Sequence, residues 1–237
     1  MFREKWTLFD ESLRVPLFIS HPASPYTNTH YSYPVELIDI FPTLLDLLHV
    51  SHHQACKPVA DMHECHPLQG KSLAKIIMGS SFQSSFRTRP RTVDMLAIED
   101  NFAISQSWRC APKDKLLEQM NATHRHFTNA WFECNKAETP QGKLQQVSVL
   151  GYSMRTANYR YTAWYHYDRE AALPQLEMPP FAEEFYNHVG EELEDFGRQE
   201  LGNYVRKIDF QPALARYRAR LLHFIRKEVD FRGPFVG

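Results

Sequence analysis

Residues 147–168, VSVLGYSMRTANYRYTAWYHYD, constrain this chain most. β-Branched and aromatic residues alternate with polar ones in VSVLGYSMRT and again in YRYTAWYHYD, the pattern of strands that bury one face. Only Ala157 and Asn158 separate the two segments. So short a connection makes a hairpin, and Asn tolerates the positive φ of a tight turn. The strands therefore pair antiparallel. MLAIEDNFAISQSW before them and residues 183–188 after them continue the pattern, which predicts a meander. Residues 211–229, QPALARYRARLLHFIRKEV, then read as an amphipathic helix with Leu214, Tyr217, Leu221, Ile225 and Val229 on one stripe. Arg216, Arg218, Arg220, Arg226 and Lys227 mark its remaining surface. A basic helix can serve nucleic acid, but here the charges suit the outer face of a helix covering a sheet.

The first part of the chain has another character. Residues 13–20, LRVPLFIS, are a continuous apolar run of strand length, the pattern of a strand buried in a parallel sheet. A Pro- and Ser-rich loop follows. Residues 35–50, VELIDIFPTLLDLLHV, place Leu37, Ile38, Phe41, Leu44, Leu45 and Leu48 close to a helical period, with a break at Pro42. Residues 72–78 predict a short helix that ends at Gly79. Residues 80–92 lack periodicity and predict a boundary near residue 90, giving domains of 1–90 and 91–237. Residues 111–146 form a long polar insertion in which KDKLLEQM makes a helical turn, and GEELEDFGRQELGN reads as a solvated acidic loop.

Charge excludes some functions. The 27 Lys and Arg nearly balance the 28 Asp and Glu, so no global field favours nucleic acid or an anionic membrane. No stretch approaches the roughly 20 apolar residues of a membrane-spanning helix. The first residues, MFREKWTLFDES, lack the apolar core of a signal peptide. The 4 Cys leave several readings open. Cys56 with Cys65 and Cys110 with Cys134 are close enough in sequence to pair. A Cys/His metal cluster with His63 and His66, or unpaired thiols, are the alternatives. Asn121 heads a glycosylation sequon between Cys110 and Cys134, which points to a secretory or lysosomal history.

Four phrases, in order, resemble the sulfatase family, and within it the iduronate-2-sulfatase branch. They are KWTLFDESLRVPL (residues 5–17), VELIDIFPTLLDLL, LQGKSL (residues 68–73) and LGYSMRTANYRYTAWYHYD, with weaker matches in AISQSW and EEFYNH. The resemblance spans nearly the whole chain, least in the 110–134 insertion and the last helix. It implies the C-terminal part of an alkaline-phosphatase-like α/β fold, with a smaller antiparallel-sheet subdomain under a C-terminal helix. It implies sulfuric ester hydrolysis, on a sulfated glycan. Lys5 matches the family's sulfate-contacting Lys, an ammonium suited to a sulfate oxygen. Cys56 and Cys65 fall where the branch has a closely spaced pair, which implies a disulfide.

The family's nucleophile is a formylglycine made within a C/S-x-P-x-R motif, assisted by a calcium on hard oxygen ligands. Neither is found here. Cys56-Lys57-Pro58-Val59-Ala60 comes nearest to the nucleophile motif but has Ala in place of Arg. The expectation is a fragment without its N-terminal catalytic portion, with no catalytic or metal residue of its own, and inactive alone. Two alternatives stand beside it. One is a non-catalytic secreted domain that binds sulfated sugars. The other is an aryl or choline sulfatase, or a phosphodiester hydrolase, of the same superfamily.

Overall fold

The computed structural model describes residues 7–26, 28–50, 70–79, 101–109, 147–190 and 199–232, with side chains through 227. The chain divides into two units, residues 16–103 and residues 1–15 together with 104–237. The sequence placed its boundary near 90 and grouped the first 15 residues with the other unit.

In the larger unit a 5-stranded sheet runs β1 (Ala103–Arg109), β2 (Val149–Arg155), β3 (Tyr159–Asp168) and β4 (Leu173–Pro174), with β5 (Ala182–Asn187) pairing β3 on its other side. β2 and β3 form the expected antiparallel hairpin, in register from Arg155 opposite Arg160 to Val149 opposite His166. The turn is held by Thr156 and not by a positive φ at Asn158. The Thr156 hydroxyl accepts from the amides of Asn158 and Tyr159, at 3.3 and 3.2 Å. Residues 183–188 are in β5 as expected, apart from His188 just past its end.

Paired residues of neighbouring strands share a sheet face. One face carries Leu150, Tyr152 and Met154 of β2, Tyr161, Ala163 and Tyr165 of β3, and Phe185 of β5, all buried. The long C-terminal helix (Gln211–Arg232) covers it with the expected stripe of Leu214, Tyr217, Leu221 and Ile225. Val229 lies outside the described side chains. Tyr217 packs edge-on against Tyr159 and Phe185, and its hydroxyl shares a 2.6 Å hydrogen bond with Thr156. Arg218 pins the helix to β5 through two 2.6 Å hydrogen bonds to Glu183. Mixed helix and antiparallel sheet under a C-terminal helix is thus the architecture of this unit.

The smaller unit has three helical pieces among its described residues. A 3-10 turn (Leu37–Asp39) leads into α2 (Ile40–Leu47), and Ala74–Met78 forms α3; the short α1 (Asp10–Leu13) and the long helix α4 belong to the sheet unit. Pro42 sits in the first turn of α2, where its missing N–H costs nothing. Asp39 joins the pieces: its carboxylate accepts from the Glu36 amide at 2.9 Å and from the Lys71 amide at 2.6 Å. Thr43 donates to the Asp39 carbonyl and accepts from the Leu73 amide. Gly70 lies so close that a Cβ would come within 2.0 Å of the Ile38 carbonyl oxygen. α3 ends at Gly79 with φ of 95°, as its residue type predicts.

Two sequence expectations fail here. Residues 14–20 form no strand, and Phe18 is 91% exposed. An apolar run becomes a buried parallel strand only when neighbours flank it, and every register described in this molecule is antiparallel. Pro16 also removes a ladder donor. In α2 the buried residues are Pro42, Thr43, Leu45, Asp46 and Leu47, whereas Leu37, Ile38, Phe41, Leu44 and Leu48 are exposed. Apart from Leu45, which is buried, the predicted stripe is the outer one, because Thr43 and Asp39 make the hydrogen bonds that turn the other side inward.

Candidate functional site

The second sheet face is unusual. Its residues are Val149, Gly151, Ser153 and Arg155 of β2, Arg160, Thr162, Trp164 and His166 of β3, and Ala182, Glu184 and Tyr186 of β5. A period-2 reading assigns such a polar row to solvent. Instead Ser153, Thr162 and Arg160 are buried, the last at 1% exposure.

Two distant segments close over it. Leu8 packs with Val149, Trp164 and Ala182, flanked by Leu13 and Phe181, and Phe9 meets the Tyr186 ring edge-on. Gly151 makes room for the indole of Trp164, since a Cβ there would lie 2.5 Å from a ring carbon. From the other side, residues 199–204 run beside β5. The Phe185 amide donates to the Asn203 side chain at 3.0 Å, and the Tyr204 amide to the Phe185 carbonyl at 2.8 Å. These bonds satisfy a strand edge and set Glu200 over the sheet.

The result is a buried ionic cluster. Arg155 reaches Asp10 through Nε at 3.2 Å and a terminal nitrogen at 3.1 Å. Arg160 pairs with both Asp10 and Glu200 and donates to Ser153 at 3.0 Å. His188 lies 3.2 Å from Glu200 and 4.0 Å from Asp10, and the Asp10 amide donates to Glu200 at 2.8 Å. Burial alone would raise the Glu200 carboxyl, but Arg160 and His188 more than reverse this and hold it below the ordinary carboxylate range. The acidic stretch around Glu200 read as solvated loop, and that expectation fails for this residue. Its partners Arg160 and Asp10 lie 40 and 190 residues away, so no local pattern announces them.

Beside the cluster, Glu184 has a different setting. It is half-buried, desolvation raises its carboxyl to about 7, and the Tyr186 hydroxyl donates to it at 3.3 Å. Arg109 stacks on Trp164, with the guanidinium 5.4 Å from the ring, and burial lowers it to about 10.

Asp10, His188 and Glu200 bring one ligand atom each within 4.8 Å of one another. They do not suit calcium. Calcium needs six or more oxygens, and the two carboxylates already face Arg155 and Arg160, whose charges oppose a dication. The arrangement joins chain segments, and it is closed to a substrate because Asp10, Arg160, His188 and Glu200 are all buried.

Asp10 is structural, with Arg155 and Arg160 as partners of its carboxylate. Lys5, Cys56, Cys65, Cys110, Cys134 and Asn121 lie outside the described residues, as does the helical turn expected at KDKLLEQM. Among the described residues no helix is long and apolar enough to cross a membrane. No family model matches the chain, and no curated protein matches it.

Proposed function

We propose that this chain is the C-terminal part of a sulfuric ester hydrolase similar to the iduronate-2-sulfatases, acting on a sulfated glycan in a lysosomal or secretory setting. Lys5 meets the sulfate in this reading. The formylglycine nucleophile and the oxygen ligands of a calcium come from outside these residues, and the alkaline-phosphatase-like fold is completed by them. By itself the chain is then inactive, because residues that act as one site do not divide their effect.

The supporting observation is how the four phrases are used. Asp10 of the first phrase meets Arg155 of the fourth, 145 residues on, and Arg160 five residues beyond it. Asp39 of the second accepts from Lys71 of the third, and Gly70 beside it permits the close approach. Chance matches would not have to fall on the residues that tie distant segments together.

Reading the transcript upstream of codon 1 tests the proposal. The expected result is an in-frame C/S-x-P-x-R motif, with sulfatase activity in the longer product that falls on Lys5→Ala. An in-frame stop a few codons upstream would overturn it. Heparin retention by this chain that survives Lys5→Ala would favour the non-catalytic sugar-binding alternative.

A further inference from the structure

Between Arg14 and His21 the chain leaves the sheet unit for the smaller unit, the division falling after Val15. Over that span it makes no helix, strand, turn or bend, and Arg14 opens it with extended backbone angles. No N–H or C=O of residues 15–20 has a hydrogen-bond partner among the described residues. Val15, Pro16, Leu17, Phe18 and Ser20 are exposed, Phe18 at 91%. A single apolar side chain in water is ordinary. Here four consecutive exposed residues are apolar, and they stand on straight backbone whose polar groups are open.

An endoprotease holds its substrate in this form. The backbone lies extended, its N–H and C=O groups pair with the edge of the cleft, and one side chain fills a pocket. We propose that residues 15–20 are a processing site for an endoprotease with an apolar pocket for an aromatic side chain. The bond cut is the amide between Phe18 and Ile19, and the severed N-terminal piece stays bound to the sheet unit. Water supplies the hydroxyl of the new Phe18 carboxyl group and a proton of the new Ile19 amine, so water alone is consumed. The product is a two-chain molecule with its sheet unit whole.

Retention follows from what lies upstream of the cut. Leu8 packs with Val149, Trp164 and Ala182, Leu13 flanks that cluster, and Phe9 meets the Tyr186 ring. Asp10 pairs with Arg155 at 3.1 Å and with Arg160, and its amide donates to Glu200 at 2.8 Å. All these contacts come from residues 8–13, so hydrolysis after Phe18 removes none of them. The remainder of the smaller unit stays joined to the sheet unit through residues 103 and 104. Buried ion pairs are screened weakly, so the piece is held in salt as well as without it. Neither the cut nor the retention depends on the sulfatase reading.

Limited digestion of the whole chain with chymotrypsin, whose pocket is a hydrophobic slot, tests both halves. A new N-terminus at Ile19 is expected from the wild type. Its appearance is expected to slow at least about tenfold in Phe18→Asp, which brings a charge to an apolar pocket. The piece ending at Phe18 is expected to co-elute with the rest of the chain on gel filtration, at low and at high salt. Its release is expected to be about tenfold faster from nicked Arg155→Ala, which takes one of two cations from Asp10. Digestion that cuts other aromatic sites and leaves the Phe18–Ile19 bond intact overturns the proposal. So does elution of the wild-type piece apart from the chain, or equal release from wild type and Arg155→Ala. If the undigested chain elutes as an oligomer in which that bond is protected, residues 15–20 are an interface between copies, and the proposal fails.

Discussion

Asp10→Ala is the sharpest probe of the ionic cluster. The residue is 4% exposed, and its oxygens accept from Arg155 at 3.1–3.2 Å and from Arg160. Its removal leaves the buried Arg160 with Glu200 and the Ser153 hydroxyl, and takes the Asp10 carboxylate from Arg155. Breaking a buried pair from one side costs roughly 3–5 kcal/mol, because the other charge stays desolvated. Against a typical total of about 5–15 kcal/mol, this leaves the sheet unit marginal. Urea unfolding followed by tryptophan fluorescence measures the loss, since Trp164 lies on the same face and is buried. A cycle with Arg155→Ala separates the pair from the rest. The two substitutions should cost less together than apart, with a coupling of about 0.5–3 kcal/mol. Little change in this coupling is expected at high salt, which screens buried pairs weakly. A loss below about 1 kcal/mol for Asp10→Ala, or strict additivity with Arg155→Ala, would refute the account of Asp10 as the link between the first segment and the hairpin.

Gly70→Ala should disrupt the smaller unit more than Gly151→Ala disrupts the larger. The first meets backbone at 2.0 Å, the second a side-chain ring at 2.5 Å that can shift; limited proteolysis of the two variants should show this order. Tyr217→Phe removes the 2.6 Å bond to Thr156 and leaves a buried hydroxyl with its turn partners only. It should lower stability by about 1 kcal/mol in thermal unfolding, with the helix still docked.

The elements whose signals are local were legible. The hairpin, β5 and the stripe of Leu214, Tyr217, Leu221 and Ile225 followed from period and spacing, because each repeats within a few residues. The candidate site was not. Arg155, Ser153, Arg160 and Thr162 occupy the face that alternation assigns to water, and what covers them comes from residues 8–13 and 199–204. Residues 13–20 show the opposite fault. Their composition asks for a strand, but composition cannot supply the neighbouring strands that would make one. In α2 all of the stripe but Leu45 was turned the wrong way, since one Asp and one Thr outweighed five exposed apolar side chains.

The amide of Asp10 and the carboxylate of Glu200 are 190 positions apart. During synthesis at about 5–20 residues per second, the earliest strip of this sheet's cover waits roughly ten to forty seconds for its last partner. Through that interval Leu8 and Phe9 have no finished surface to rest on. Nascent chains stalled between the hairpin and residue 200 are therefore the species on which a chaperone would find these side chains bare.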